Sequence, residues 1–513
     1  MRRLMLAAAA GSAALLASLP ASAAPLTALG AVVPFATQAP EAAFTSAAAA
    51  ADPIACQRPA PDNRVSTTIH CYTPNQIRAF YGLSPLTAST TDGAGQTIVL
   101  VDSYGSPTAA EDVAFFAQTF GGPTPDFEAS FPLGKPGYKD PPGNGSGTSG
   151  PAAAAGWAGE ANLDVQWAYA IAPKAHIVLL ATPPAETQGV QGLPNLMMAI
   201  DSAVAKYPAG TVFSMSFGTS EEAFASPAAA KNAFARFDAT FQRGQAKHDT
   251  FFASSGDDGS LGVSRSHHQT TTLDHPSTSY PNSSPYVTSV GGTQVQSGWT
   301  WNPTSDTPFL ADGSRNPAYF GWTPGGSSEA VWNETWGPIG TGGGLSAVYG
   351  RPAFQDSVIS VVGNHRGVPD LAWNAAVNGG VLVFHSYFPK AAGPPLWGVF
   401  GGTSASSPQV AALTAIANAA RATASKAGIG DLNTAIYSAG FNRSTAFSDI
   451  VAHTYGTAAS GVLDDNQMWE YAADGSVHPG AVPGFPTTAG YDLTTGWGSP
   501  KAAGYVAQVV AAP

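Results

Sequence analysis

The chain has 513 residues, 44% of them hydrophobic and 11% charged, with 57 glycines and 42 prolines, so it has material for one large or two ordinary cores joined by long loops. A net charge of −12 argues against a nucleic-acid partner. Few ion pairs also leave little stability to lose when carboxylates become protonated in acid.

Residues 1–23 read as an export signal: Arg2 and Arg3 form the charged start, Leu4 to Leu19 is apolar, and Ala21-Ser22-Ala23 is a small-residue cleavage site. Glycine and serine interrupt that apolar run, which is short for a membrane span. The expectation is a secreted, extracellular protein with no membrane attachment after signal removal. Residues 24–72 are Ala/Pro-rich and read as a linker or reduced pro-segment. Both cysteines, Cys56 and Cys71, fall there, and an even count in an oxidising compartment suggests one disulfide tethering the segment.

Order begins near Thr73, where Pro74 suits the first turn of a helix. Residues 96–101 read as a buried strand ending at Asp102, and 108–120 have helical spacing. Residues 131–156 are rich in Gly, Pro and Ser and predict a long exposed loop. Helices are predicted over 160–172, 196–206 and 234–247, and strands over 176–180, 212–217 and 250–254. Short apolar strands alternating with helices predict an α/β fold with a mainly parallel central sheet and helices on both faces. Such sheets carry their chemistry at the C-terminal ends of the strands. Residues 294–340 hold Trp299, Trp301, Trp322, Trp332 and Trp336 and read as a surface insertion with its own aromatic cluster, packing being favoured over a glycan-binding patch.

Four local patterns carry chemistry. Gly401-Gly402-Thr403-Ser404-Ala405-Ser406-Ser407-Pro408 puts a serine hydroxyl at a Gly-rich turn where a helix begins. Unpaired N–H groups there favour a developing oxyanion, although a plain helix cap looks much the same. Glu160 and Asp164 stand four apart, so on a helix they share a face. Two like charges so placed raise a pKa and encourage a shared proton, which suits a carboxylate base oriented by a carboxyl partner. The stretch from Phe251 to Gly259 is an apolar strand running into a turn that carries Asp257 at the sheet rim. Finally, Phe447-Ser448-Asp449-Ile450 and Thr488-Ala489-Gly490-Tyr491-Asp492 offer carboxylates and turn carbonyls, the hard oxygen ligands that calcium prefers.

Together these patterns resemble the sedolisin family, the serine-carboxyl peptidases of subtilisin-like fold, from about Thr73 to Pro500. Supporting segments follow in the family's order: Ser214-Met215-Ser216-Phe217-Gly218, Tyr280-Pro281-Asn282, Val290-Gly291-Gly292-Thr293, Gly342-Gly343-Gly344-Leu345-Ser346, Arg366-Gly367-Val368-Pro369-Asp370 and Thr495-Gly496-Trp497-Gly498. The resemblance implies one large catalytic domain over residues 73–513, including a C-terminal calcium-binding segment. It implies a serine-type endopeptidase, with Ser404 as nucleophile, Glu160 as general base, Asp164 holding Glu160, and protonated Asp257 donating to the oxyanion. Ser216, Phe217 and Gly218 would form a backbone rail for an extended substrate. Asp449 and Asp492 by side chain, with the carbonyls of Ile450, Thr488 and Gly490, would bind one structural Ca²⁺. The implied substrates are proteins or peptides, cleaved at acid pH by a monomer.

The chain departs from the family pattern in three ways. Residues 24–72 stand where a large folded propeptide is usual, Thr488 replaces a customary glycine, and 294–340 is longer than the family norm. Two other readings compete. A Ser/His/Asp enzyme could hold its aspartate at Asp102, but no histidine-bearing helix start follows. A secreted binding protein could keep the scaffold without the activity. Gly-x-Ser-x-Gly of the esterases does not frame Ser404.

Overall fold

The strand Thr97–Ser103 has no solvent-facing side: Ile98 and Leu100 pack into one core, Val99 and Val101 into another. Successive side chains on a strand point to opposite faces, so an unbroken apolar run needs cover on both. The computed structural model describes residues 69–88, 91–138, 151–183, 190, 192–266, 269–387 and 396–513, with two short strands, Ala36–Ala39 and Ile54–Cys56. The signal read over 1–23 lies outside these residues, as does 139–150 of the expected loop.

The central sheet has eight strands. Asp126–Ser130, His176–Thr182, Thr97–Ser103, Val212–Met215, Thr250–Ser254 and Thr288–Trp301 lie side by side in parallel. Leu371–Asn374 joins Thr288–Trp301 in parallel, and Trp322–Val331 closes that side antiparallel. The sheet is therefore mainly parallel, as the alternation of elements predicts. Helices Pro151–Ile171 and Thr403–Thr423 contribute to one core, helices Leu193–Lys206 and Pro227–Gln245 to the other. This is a subtilisin-like α/β fold. Among the described residues, no helix is long and apolar enough to cross a membrane.

Thr73 caps helix Pro74–Phe80 with a full capping box: its hydroxyl accepts from Gln76 N, and the Gln76 side chain accepts from Thr73 N. Three expectations need correction. The helix carrying Glu160 starts at Pro151, so 151–156 is its first turns and not loop; proline is favoured at a helix start, and the alanines after it are the best helix formers. The Trp-rich stretch is no surface insertion. Strands Thr288–Trp301 and Trp322–Val331 belong to the central sheet, and Trp299, Trp301, Trp332 and Trp336 are buried, leaving Trp322 exposed. Glu334 anchors this region by accepting from Trp332 Nε1, Trp336 Nε1, Val377 N and Asn378 N at 2.6 to 3.2 Å. Third, the 24–72 segment holds three strands of a second, five-stranded sheet, ordered Ala36–Ala39, Leu396–Phe400, Gly380–His385, Ile69–Tyr72, Ile54–Cys56.

Candidate active site

Parallel strands deliver their ends to one rim. Asp102 lies at the end of Thr97–Ser103, Ser216 follows Val212–Met215, and Asp257 follows Thr250–Ser254. Helix Pro151–Ile171 crosses behind this rim with Glu160 and Asp164 one turn apart. Helix Thr403–Thr423 packs beside it and starts one residue before Ser404. Gly402 enters this helix at φ 98°, a left-handed value suited to glycine. A Cβ there would stand 2.6 Å from Asp257 Oδ2, so the turn requires glycine for space as well as for conformation.

Glu160, Asp164 and Asp102 are fully buried, and their carboxyls lie within 4.8 Å of one another. Ser404 sits beside Glu160, where its hydroxyl favours the charged form. The pair stops short of a formed hydrogen bond, and neither the Ser404 hydroxyl nor either Glu160 oxygen has another partner. Such contacts commonly tighten only once substrate is bound. Asp102 was legible only as the aspartate of a Ser/His/Asp enzyme; the structure turns it toward two carboxyls instead of an imidazole.

Burial dominates the electrostatics. It pushes Glu160 well above the usual carboxyl range, the charges of Asp164, Asp102 and Asp257 push it further, and the Ser404 contact works against them. Asp164 is raised well above its ordinary value by burial and by Asp102, opposed by Ser216. Burial pushes Asp102 up to about 8. Three acids in a dry site cannot all ionise without a counter-charge, so they share protons. Their spacing is also that of cation ligands, the one such group among the described residues.

Asp257 faces the same turn from the opposite side. Its Oδ1 accepts from Thr403 N at 2.7 Å and from Thr403 Oγ1 at 2.9 Å, while Oδ2 is buried without a partner. Burial raises it to about 7, the Thr403 bonds lower it, and Asp258 raises it again. Well below that value the Asp257 carboxyl holds a proton and can donate a hydrogen bond.

Ser216 and Phe217 are buried and Gly218 is half-buried, leading into Thr219–Ser220, which pairs antiparallel with Ser279–Tyr280. The segments carrying the expected calcium ligands also meet. Gly490 N donates to Asp449 at 2.9 Å and Thr488 N to Asp492 at 3.0 Å, so both carboxylates grip the 488–490 turn. Two carboxylates and three carbonyls would form an all-oxygen set of the kind calcium prefers, so the residue types fit the ion; Asp492 Oδ1 also accepts from Thr494 N at 2.9 Å and Thr495 N at 2.7 Å, which fixes the carboxylate in place. Burial raises Asp492 to about 6, a strain that a bound cation would relieve.

A buried serine at a helix start thus lies close to a cluster of three buried carboxyls and to the buried Asp257, at one rim of a subtilisin-like sheet. No family model matches the chain. Xanthomonalisin of Xanthomonas sp. (strain T-22) is 34% identical over 172 residues, 28% of this chain and 18% of that protein. Kumamolisin of Bacillus sp. (strain MN-32) is 28% identical over 338 residues, 64% of this chain and 49% of that protein. The chain thus spans half or less of the length of these curated relatives. Pseudomonas sedolisin, a serine-carboxyl proteinase solved with two molecules of pseudo-iodotyrostatin, superposes with a TM-score of 0.55 at 23% identity, over 86% of this chain and 98% of that one. Over these stretches the chain is similar to members of the sedolisin family, and it shares their fold.

Proposed function

We propose that this protein is a secreted, acid-active serine-carboxyl peptidase. The observation that supports this most strongly is the buried neighbourhood of Ser404, made of Glu160, Asp164 and Asp102 with no imidazole among them. Ser404 Oγ attacks the scissile carbonyl carbon and Glu160 takes its proton. Asp257 donates from Oδ2 to the oxygen as it becomes anionic. Glu160 then hands the proton to the departing amine, leaving an acyl-enzyme, and water repeats the sequence to release the acid. Asp164 holds Glu160, and Asp102 extends the proton-sharing cluster. A carboxylate base works where histidine is already protonated. Ser216, Phe217 and Gly218 pair with the extended backbone of a protein or peptide, which favours internal cleavage.

Asp449, Asp492 and the carbonyls of Ile450, Thr488 and Gly490 hold one structural Ca²⁺. Cys56 and Cys71 form a disulfide between neighbouring strands, consistent with Cys71 not being a free thiol. Residues 73–513 act as one catalytic domain in a monomer, after removal of 1–23 and with 24–72 as a reduced pro-segment. Neither nucleic acid nor membrane is a partner.

The test is digestion of denatured protein across a pH series by wild type and Glu160→Ala, with the cleaved bonds mapped. Wild type cleaves in acid and fades toward neutrality; the variant loses about 10²- to 10⁴-fold, the range of a general base. Full activity in Glu160→Ala, or an optimum at neutral or alkaline pH, overturns the proposal.

A further inference from the structure

We propose that Thr403 is a positioning residue for Asp257: it commits Oδ1 to accepting hydrogen bonds and so leaves Oδ2 as the oxygen that carries the proton toward the oxyanion. This rests on the serine-carboxyl reading above.

Donor and acceptor counting fixes which oxygen of Asp257 holds the proton. Gly256 N–H, which can only donate, points at Thr403 Oγ1 at 3.0 Å. That bond uses an oxygen lone pair and leaves the Thr403 hydroxyl proton free for Asp257 Oδ1 at 2.9 Å. The Thr403 backbone N–H, also a donor only, reaches the same Oδ1 at 2.7 Å. An oxygen receiving a backbone N–H and a hydroxyl proton is the acceptor oxygen of the carboxyl. The acidic proton therefore resides on Oδ2, which is buried and lacks a protein partner. Oδ2 opens on the space beside Gly402 that any side chain there would fill. That space adjoins Ser404, where the carbonyl oxygen of an attacked substrate must lie. Gly256, Asp257, Thr403 and Ser404 thus form one clamp across 146 residues of sequence. The residue before the nucleophile sets the direction of the donor opposite it.

The titratable groups acting on this carboxyl are Asp258 in its own turn and Glu160 from helix Pro151–Ile171. The Thr403 hydroxyl favours the ionised form of Asp257. Its removal has two separable effects: a less well aimed donor, and an Asp257 that keeps its proton to higher pH.

The experiment measures kcat and KM against pH for wild type, Thr403→Val and Thr403→Ser, with Ser404→Ala and Glu160→Gln alongside. Thr403→Val is expected to lower kcat about tenfold with KM within about twofold, and to move the basic limb of the kcat profile up by about half a pH unit or more. Thr403→Ser, which keeps the hydroxyl, recovers most of kcat and returns the limb to its wild-type position. A general packing defect would lower activity without moving the limb. If Thr403→Val does not fold, Thr403→Ala carries the same expectation with less steric change. Inactive Ser404→Ala and Glu160→Gln together with an unmoved limb in the Thr403 variants overturn this inference alone. Active Ser404→Ala or Glu160→Gln overturns the serine-carboxyl reading and this inference with it.

Discussion

Asp102 and Glu160 place their carboxyls within 4.8 Å of each other in a site closed to solvent, although one ends a strand and the other sits in the middle of a helix. Among the described residues, neither has a cationic neighbour that would allow both to ionise. The proton between them is a structural component of the site, and several consequences can be measured.

Asp257→Asn tests the protonated donor. The amide oxygen can take over the Oδ1 role and its NH₂ can donate from the Oδ2 side at every pH. In wild type the donor is lost as pH rises through the Asp257 value of about 7. The variant is expected to work about a hundredfold more slowly in acid, because an amide is a weaker donor than a carboxylic acid. What activity remains no longer declines between pH 6 and 8. A residual decline with the wild-type midpoint would assign that limb to another group.

Stability should depend on pH in a direction fixed by these shifts. Asp102 and Asp257 have folded values raised to about 8 and about 7. A raised carboxyl contributes fully below its unfolded value, near 4, and loses that contribution as pH climbs through the folded value. Buried His70 and His385 act oppositely: burial lowers them to about 4 and about 3, so their contribution is present above about 6.5 and lost as pH falls. Well above pH 6.5 these two histidines are neutral in both states, and the buried carboxyls dominate the slope. Urea denaturation between pH 6.5 and 8.5 should show a loss of about 2 kcal/mol or more. Asp102→Asn should flatten that slope, and a slope unchanged by the substitution would separate Asp102 from the effect.

Calcium should stabilise without taking part in the chemistry. Saturating Ca²⁺ at about a hundred times its Kd is worth about 2.7 kcal/mol. Chelation is expected to lower the melting temperature of wild type and leave that of Asp449→Ala unchanged. Equal melting curves with calcium and with chelator would remove the ion from the Asp449–Asp492 site.

Glu334 should be a structural hot spot far from any catalytic role. Glu334→Ala leaves two indole N–H groups and the Val377 and Asn378 amides without their acceptor. The expected cost is about 3 kcal/mol, since buried donors left unsatisfied lose their full solvation. A cost below about 1 kcal/mol would mean that water replaces the carboxylate.

Much of the site was legible because its signals are local. Glu160 and Asp164 advertise a shared helix face by their four-residue spacing, Asp257 follows an apolar strand into a Gly/Asp turn, and Ser404 sits between a glycine pair and a helical pattern. The remainder depends on distant chain segments. Asp102 reads as an ordinary strand end until parallel pairing carries it to the same rim as Glu160. Residues 294–340 look like a loop because Gly325, Gly326 and Pro324 interrupt the strand pattern. Burial comes from strand pairing and from Glu334, whose other partners, Val377 and Asn378, lie 43 and 44 residues away. Pro151 and Gly156 similarly mask helical turns whose stability comes from packing more than from propensity. Ala36–Ala39 is a strand only because Leu396–Phe400 offers it an edge.

The two helices bearing Ser404 and Glu160 are locked into the main core, and the strand bearing Asp102 and the strand leading to Asp257 are buried within it. Among the described residues, Ser404, Glu160 and Asp102 sit on these core elements and Asp257 in the turn just after one of them. Heat should therefore extinguish turnover and cooperative structure in a single event, with inactivation and melting curves superimposed and no warm, folded but idle state between them.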